Sequence, residues 1–486
     1  MPDHNYLAID FGAESGRVML GTVSADRLHL QEIHRFPNIA VRSGTGTWHW
    51  DILRLWHEVQ TGIAKATAAH KISGIAVDTW GVDFGLLDEQ GQLLGNPVCY
   101  RDARTNGMVE KVFAQLPRQK IYSITGIQTM AINTLFHLAA LSASNSPQLK
   151  SAKTLLFTPD LIAYWLSGVA ANEYTIASTS QMLDAQTRTW SKDILAAIGI
   201  SPSLFPKLIQ PGTKNSILGP VQSTIAGALG ATGIPVIAVG SHDTASAVAA
   251  VPATGDDWLY LSSGTWSLLG AEVDQPVLTE KAAAYNVTNE GGVGGKIRLL
   301  KNIAGLWLLQ ECRREWTRQG EDLDYATIMK LAATGPGHTA ILDVEDPAFA
   351  TPGNMSEKIV AQCVRTGQRP PETPGEFARV IFESLAVMYA KVVRMMEDVT
   401  GRKFRRLHIV GGGSQNDLLN QFAADATGLT VLAGPVEGTA MGNIMLQAIA
   451  TGTLPSLAAG RALVAQSADL KTFTPHDTEK WAKYLK

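Results

Sequence analysis

The chain is poor in cysteine, in long apolar runs and in any excess of one charge. Its 486 residues include three cysteines, Cys99, Cys312 and Cys363, an odd number without a CxxC spacing. That argues against a disulfide framework or a cysteine-built zinc site and for a reducing compartment. No window approaches 18 uninterrupted apolar residues; the best, Leu155 to Val169, is broken by Pro159 and Asp160. No membrane span is therefore expected. The opening Met1-Pro-Asp-His-Asn5 lacks a basic segment and its apolar run ends at Asp10, which reads as a strand rather than a secretion signal. A cytoplasmic location follows as the expectation. Lys plus Arg is 41 and Asp plus Glu is 44, a formal net charge of −3. The basic excess that binding a phosphate backbone requires is missing, so a nucleic-acid partner is not expected.

What is present describes a globular protein of two or three domains: 45% hydrophobic residues, 17% charged and 45 glycines. Tyr6 to Asp10 reads as a buried strand, Gly12 to Gly16 as a turn of small residues, and Arg17 to Gly21 as the returning strand of a hairpin. Ile72–Asp78, Leu155–Thr158 and Ile234–Val239 read as further strands with helical segments between them. Residues 249 to 257, bearing Pro252 and Gly255, form the candidate domain boundary. Beyond it, Trp258 to Gly270 repeats the opening pattern of strand, Gly/Ser/Thr turn and strand. Ile303–Trp316 and Gly375–Thr400 read as helices, Arg406–Val410 as a strand, and a helix resumes at Asp417. The alternation predicts α/β architecture: two lobes with mixed sheets and a central cleft, the second hairpin hinting at a duplication. The expected domains are 1–248, 256–450 and a tail, 451–486, packed on the lobes.

Five segments have residue types suited to chemistry. Asp10-Phe-Gly-Ala-Glu-Ser-Gly-Arg17 places glycines where backbone N–H groups can approach a phosphate, and a carboxylate at the strand end where it can hold a hydrated cation. An ordinary hairpin turn fits the same residues. Ser262-Ser-Gly-Thr-Trp-Ser267 repeats that chemistry in the second half, and the matched pair tells more than either turn alone. Gly411-Gly412-Gly413 between strand and helix suits close approach of a nucleotide, and a loose connector is the plainer alternative. It is neither a GxGxxG fingerprint nor a Walker A loop; Gly291 to Lys296 also fails as Walker A, because Ile297 follows the lysine. Asp243 opens a helix whose dipole is expected to keep it ionised, able to take a proton from a substrate hydroxyl or merely to cap the helix. Finally, Asp78-Thr-Trp-Gly-Val-Asp-Phe84 and Tyr100-Arg-Asp-Ala-Arg-Thr105 offer a tryptophan for a sugar face and charged groups for hydroxyls. A core tryptophan beside surface ion pairs fits these residues better.

These motifs, together with Ser241-His-Asp-Thr-Ala-Ser-Ala247, Lys301-Asn-Ile-Ala-Gly-Leu-Trp307 and His408-Ile-Val-Gly-Gly-Gly413, resemble the FGGY family of carbohydrate kinases, in particular its L-rhamnulose-phosphorylating branch. The resemblance runs in order from Tyr6 to about Asn443. It implies two ribonuclease-H-like (actin-like ATPase) lobes, with ATP, Mg²⁺ and a sugar as ligands. The implied reaction is transfer of the γ-phosphoryl group to the 1-hydroxyl of L-rhamnulose, giving L-rhamnulose 1-phosphate. Carried over by motif, Asp243 is the catalytic proton acceptor. Ala13, Glu14, Ser15, Gly16, Arg17, Thr265, Gln310 and Gly412 contact ATP, and Gly81, His242, Asp243, Thr244 and Asn302 line the sugar site. Asp10 holds the metal through water, on superfamily analogy. Glu14 stands where the family more often has serine, and is expected to face solvent, away from phosphate charge. Gly81-Val82 replaces an Arg-Glu pair of glycerol kinases, which leaves room for a bulkier ketose. Another ketose, L-fuculose or L-xylulose, and a non-kinase ATPase switch of the same superfamily are the rival readings.

Overall fold

In the computed structural model, which describes residues 3–485, the first sheet is built around the opening hairpin. Strands β1 (His4–Phe11), β2 (Ser15–Val23) and β3 (Leu28–Pro37) run antiparallel. Strand β4 (Ile72–Thr79) lies parallel to β1 on its other side. With β5 (Ile217–Pro220) and β6 (Pro235–Ile237) the order is β5-β6-β4-β1-β2-β3. Tyr6, Leu7, Ala8, Ile9 and Phe11 are all buried, as a central strand covered on both faces requires. Helix α1 (Ile52–Ala69) starts at Asp51, which caps the Arg54 N–H, and buries Ile52, Leu55, Val59, Ile63 and Ala66, a stripe at helical spacing. Helices α2 (Tyr174–Ser178) and α3 (Asp243–Ala249) precede the second hairpin.

That hairpin is β7 (Trp258–Ser263) and β8 (Trp266–Val273). A further hairpin follows, β9 (Thr288–Gly291) and β10 (Ile297–Ala304), whose turn holds Gly294 and Gly295 at positive φ. After α4 (Trp307–Arg318) and the long buried helix α5 (Pro374–Thr400) come β11 (Arg406–Val410), α6 (Asp417–Thr427) and β12 (Thr430–Ala433). Helices α7 (Gly438–Ala450) and α8 (Leu457–Ser467) and strand β13 (Lys471–Phe473) complete the part of the chain needed here. The second sheet runs β9-β10-β8-β7-β11-β12-β13, with β7 antiparallel to β8 and parallel to β11. Its β10-β8-β7-β11-β12 stretch repeats the β3-β2-β1-β4-β6 order of the first sheet, with an antiparallel hairpin followed by two parallel pairings in each, so the duplicated hairpin marks a duplicated topology.

Two compact units emerge, and neither is one continuous stretch of chain. The first comprises residues 1–252, 272–299 and 438–467; the second comprises 253–271, 300–437 and 468–486. The sequence suggested a single change of lobe near residue 250. Instead β9 and helices α7 and α8 return to the first unit, where α7 packs on α3: a Cβ on Gly442 would lie 1.8 Å from the Ser246 carbonyl oxygen. One element boundary also moves. Ile303 and Ala304, expected in a helix, extend β10, and the helix begins at Trp307 after Gly305. The backbone at Gly305 lies against the Gly264–Trp266 turn, where a Cβ would meet the Trp266 carbonyl carbon at 2.6 Å, so the chain stays extended up to this point. The three cysteines are buried and unbonded. Among the described residues no helix is long and apolar enough to cross a membrane.

Candidate active site

In the first unit, candidate residues gather at the ends of β1, β4 and β6. β1 and β4 are in register with Asp10 opposite Asp78. At its last residue β4 is paired to the segment that leads into α3, with Thr79 N–H donating to the Ser241 carbonyl at 2.9 Å and Thr79 facing His242. Asp10, Asp78 and Asp243 thereby come within each other's electrostatic reach. Burial, then the Asp10 charge, push the Asp78 carboxyl well above the usual carboxylate range. Asn443 of α7 opposes this by donating to Asp78 Oδ2 at 2.6 Å.

Asp243 departs from its expected electrostatics. It is the first residue of α3, a helix of only seven residues, yet its pKa is raised: burial dominates, the neighbouring Asp10 adds to it, and His242 opposes it. Desolvation outweighs the dipole of so short a helix. Its Oδ1 accepts from the Thr244 backbone N–H and from Thr244 Oγ1 at 3.0 Å.

The loop carrying Gly81 is held under strain. Val82 has φ +69°, a left-handed conformation costly for a β-branched residue. Thr179 Oγ1 accepts the Val82 N–H at 3.1 Å and Thr134 Oγ1 donates to the Val82 carbonyl at 2.6 Å. The next residue, Asp83, is buried and accepts from the indoles of Trp50 at 2.5 Å and Trp80 at 2.8 Å. Burial raises its pKa to about 7. Trp80 is thus a core residue, tilted against Trp50 with 4.5 Å between ring centroids. Asp102 caps the short turn Ala103–Thr105 and pairs with Arg104, while Arg101 lies over the Tyr100 ring. The polar-aromatic segment therefore supports the Gly81 loop from behind.

At the first hairpin turn, Ser15 and Gly16 begin β2, and the side-chain amide and backbone N–H of Asn38 donate to the carbonyls of Gly12 and Glu14, each at 2.9 Å. Glu14 is exposed, as expected, and Ala13 is partly exposed. Arg17 sits opposite Asp10 in the hairpin register and donates to Asp10 Oδ2 at 2.5 Å. The residue expected on phosphate and the residue expected on the metal are therefore paired with each other.

Thr265, Asn302, Gln310 and Gly412 belong to the second unit. The Trp307 N–H at the start of α4 donates to the Thr265 carbonyl at 3.1 Å, which fixes that turn against the helix bearing Gln310. Gln310 Oε1 is buried without a hydrogen-bond partner, an acceptor that a ligand donor would satisfy. In the glycine run, Gly413 abuts Ser263 of β7, whose Oγ would lie 2.0 Å from an added Cβ, whereas Gly412 is exposed with open space beside it.

Sequence reading missed the residues that hold the Ser241–Asp243 loop. Glu173, fully buried with a pKa raised to about 7, accepts from the backbone N–H of Thr175, Ile176 and Ser241 and from Thr175 Oγ1. Thr175 Oγ1 in turn accepts the His242 N–H at 3.2 Å. The His242 ring lies between Asp243, 3.5 Å from Nε2, and the buried pair Glu290–Arg298 on the Nδ1 side. Arg298 was visible as a lone charge within the apolar run Ile297–Leu300, a pattern that signals a buried, partnered cation.

Residues 5–250 match the N-terminal domain of the FGGY family of carbohydrate kinases, and residues 259–451 match its C-terminal domain. A rhamnulokinase of Bacteroides thetaiotaomicron is 44% identical over 99% of this chain and 98% of its own. A rhamnulokinase of Halalkalibacterium halodurans is 41% identical over 98% of this chain and 100% of its own. Among solved structures, a ligand-bound xylulose kinase from Lactobacillus acidophilus superposes with a TM-score of 0.80 at 18% identity, covering 99% of this chain and 96% of that one. The glycerol kinase of Plasmodium falciparum with ADP gives 0.78 at 17%, with the same coverage of each chain. Both structures share the two-domain fold of mixed sheets flanked by helices. With both domain models matched in order and relatives above 40% identity along nearly the whole length, the chain belongs to the FGGY family of carbohydrate kinases.

Proposed function

We propose that the protein transfers the γ-phosphoryl group of ATP to the 1-hydroxyl of L-rhamnulose, giving L-rhamnulose 1-phosphate and ADP. The observation that carries the reading is Asp243: a carboxylate whose pKa is raised by burial, beside His242, in a loop that Glu173 and Thr175 hold in place. A base is most effective when its pKa approaches the working pH, and burial moves Asp243 in that direction. Asp243 takes the proton as the sugar oxygen attacks the phosphorus in line, while Gly81, His242 and Thr244 orient the sugar through hydrogen bonds. The strained Val82 and its threonine anchors support a backbone at Gly81 that is fixed before substrate arrives.

Ala13 to Arg17, Thr265, Gln310 and Gly412 are the residues proposed to contact ATP. Arg17 would exchange its contact with Asp10 for phosphate, leaving Asp10 to a water shell. Asp10, at the end of β1, is a hard oxygen donor suited to Mg²⁺, which binds through one or two carboxylates plus waters and substrate phosphates. When bound, Mg²⁺ supplies charge neutralisation for the phosphoryl oxygens.

The test is ADP release with ATP–Mg²⁺ on L-rhamnulose, L-fuculose, L-xylulose, D-xylulose and glycerol. The highest kcat/KM is expected on L-rhamnulose. Preference for another ketose would overturn the substrate assignment, and sugar-independent ATP turnover would overturn the kinase reading itself.

A further inference from the structure

The most heavily invested polar group outside the expected set is Arg298. Its side chain is fully buried in β10, with Nε donating to the Gly291 carbonyl at 2.8 Å. Nη2 lies 3.1 Å from Glu290 Oε2 and 3.0 Å from His242 Nδ1. Two arrangements of the imidazole can be weighed against this geometry. A proton on Nδ1 would have Glu290 Oε2 3.3 Å from its nitrogen without hydrogen-bond alignment, and would confront the nearer guanidinium N–H. A guanidinium has only donors and does not lose its proton, so the nitrogen it touches at 3.0 Å must offer a lone pair. Nη2 then donates to His242 Nδ1, while its 3.1 Å contact with Glu290 Oε2 is an ion pair without hydrogen-bond alignment that holds the guanidinium in place.

We infer that Arg298, held by Glu290, is a positioning residue that locks His242 as the neutral tautomer carrying its proton on Nε2. That nitrogen lies on the Asp243 side of the ring, 3.5 Å from Oδ1. The ring therefore presents a donor to the acceptor-substrate site, and the sugar group it meets must be an oxygen offering a lone pair. The substrate part of this inference rests on the kinase reading; the tautomer does not.

Imidazole ¹⁵N shifts of the full-length protein, with His242 assigned by its loss in His242→Asn, test the tautomer without any turnover. Expected are a bare Nδ1 and a protonated Nε2 in the native protein and in Glu290→Gln, which keeps the donor. In Arg298→Met/Glu290→Gln, which leaves no uncompensated buried charge, the fixed tautomer is expected to give way to a mixture or to the imidazolium. The double variant should also lose at least about tenfold in kcat/KM for the sugar, as loss of an orienting contact does, with KM for ATP within about twofold. A purely structural role would move both substrates and the melting temperature together. A protonated Nδ1 in the native protein, or an unchanged tautomer in the double variant, overturns the inference. Absence of sugar-dependent turnover in the native protein would overturn the kinase reading alone, because the nitrogen shifts decide the tautomer.

Discussion

Asn443 donates to Asp78 at 2.6 Å across 365 residues of chain, joining helix α7 to the strand that leads into the candidate sugar loop. Both side chains are completely buried. The Asn443 amide is oriented from behind, since Gln447 donates to its Oδ1 at 2.8 Å and to the Leu7 carbonyl at 2.9 Å. Removing the amide leaves Asp78 Oδ2 without this donor, a loss of about 1–3 kcal/mol for a buried polar group. Asn443→Ala is expected to lower the urea midpoint accordingly. An unchanged midpoint would mean that the bond contributes nothing net.

Asp83 makes the stability of the protein depend on pH in an unusual direction. Its folded pKa of about 7 stands above the unfolded value of 3.8, so the folded state holds a proton that the unfolded state has released. Stability from this group is full below about pH 4 and falls as pH rises towards 7, by about 4 kcal/mol in all at 1.36 kcal/mol per pH unit. Glu173 acts in the same sense, raised from 4.5 to about 7. Asp83→Asn keeps an oxygen for the two indoles and cannot titrate. It should flatten the fall in Tm between pH 4 and 7, and an unaltered slope would refute the assignment.

Much of this organisation was legible because it is local. Both hairpins, the Arg406–Val410 strand and the α6 start at Asp417 show as apolar runs punctuated by turn residues and a capping Asn416. Trp80 was legible as core, and its partner Asp83 stands three residues away. What could not be read depends on distant pairing. Nothing near Asn443 announces Asp78, and nothing in Thr288–Gly291 announces that Glu290 meets a histidine 48 residues earlier. The dipole argument for Asp243 was incomplete for a related reason. Burial, which dominates its pKa, and the charge of Asp10 are properties of the assembled strands rather than of the helix it opens.

The glycine run of the second unit separates into packing and binding. Gly413→Ala places a Cβ against Ser263 and should destabilise by about 1–3 kcal/mol through overpacking. Gly412→Ala meets nothing within 4 Å and should leave stability within about 0.5 kcal/mol of the parent. If Gly412 is where the backbone approaches ATP, its alanine variant raises KM for ATP while thermal unfolding stays unchanged. Equal effects of the two substitutions on KM and on Tm would show that the run is only a connector.

Asp243→Asn separates the base from the helix start. The amide oxygen of asparagine can still accept from the Thr244 N–H and hydroxyl, so the local geometry and the fold should survive. Replacing a partly buried carboxyl of raised pKa by a neutral amide also removes the desolvation cost of the charged form and the repulsion from Asp10, so Tm at neutral pH is expected to hold or rise slightly. Proton acceptance is lost, and kcat should fall by at least about 10²-fold. KM for the sugar should change far less, because the hydrogen-bonding capacity of the site is mostly kept. Near-normal turnover from a folded variant would reduce Asp243 to a residue that only starts the helix. A collapse of Tm alongside kcat would instead assign it to the structure of the loop, and the proton would have to leave by another group.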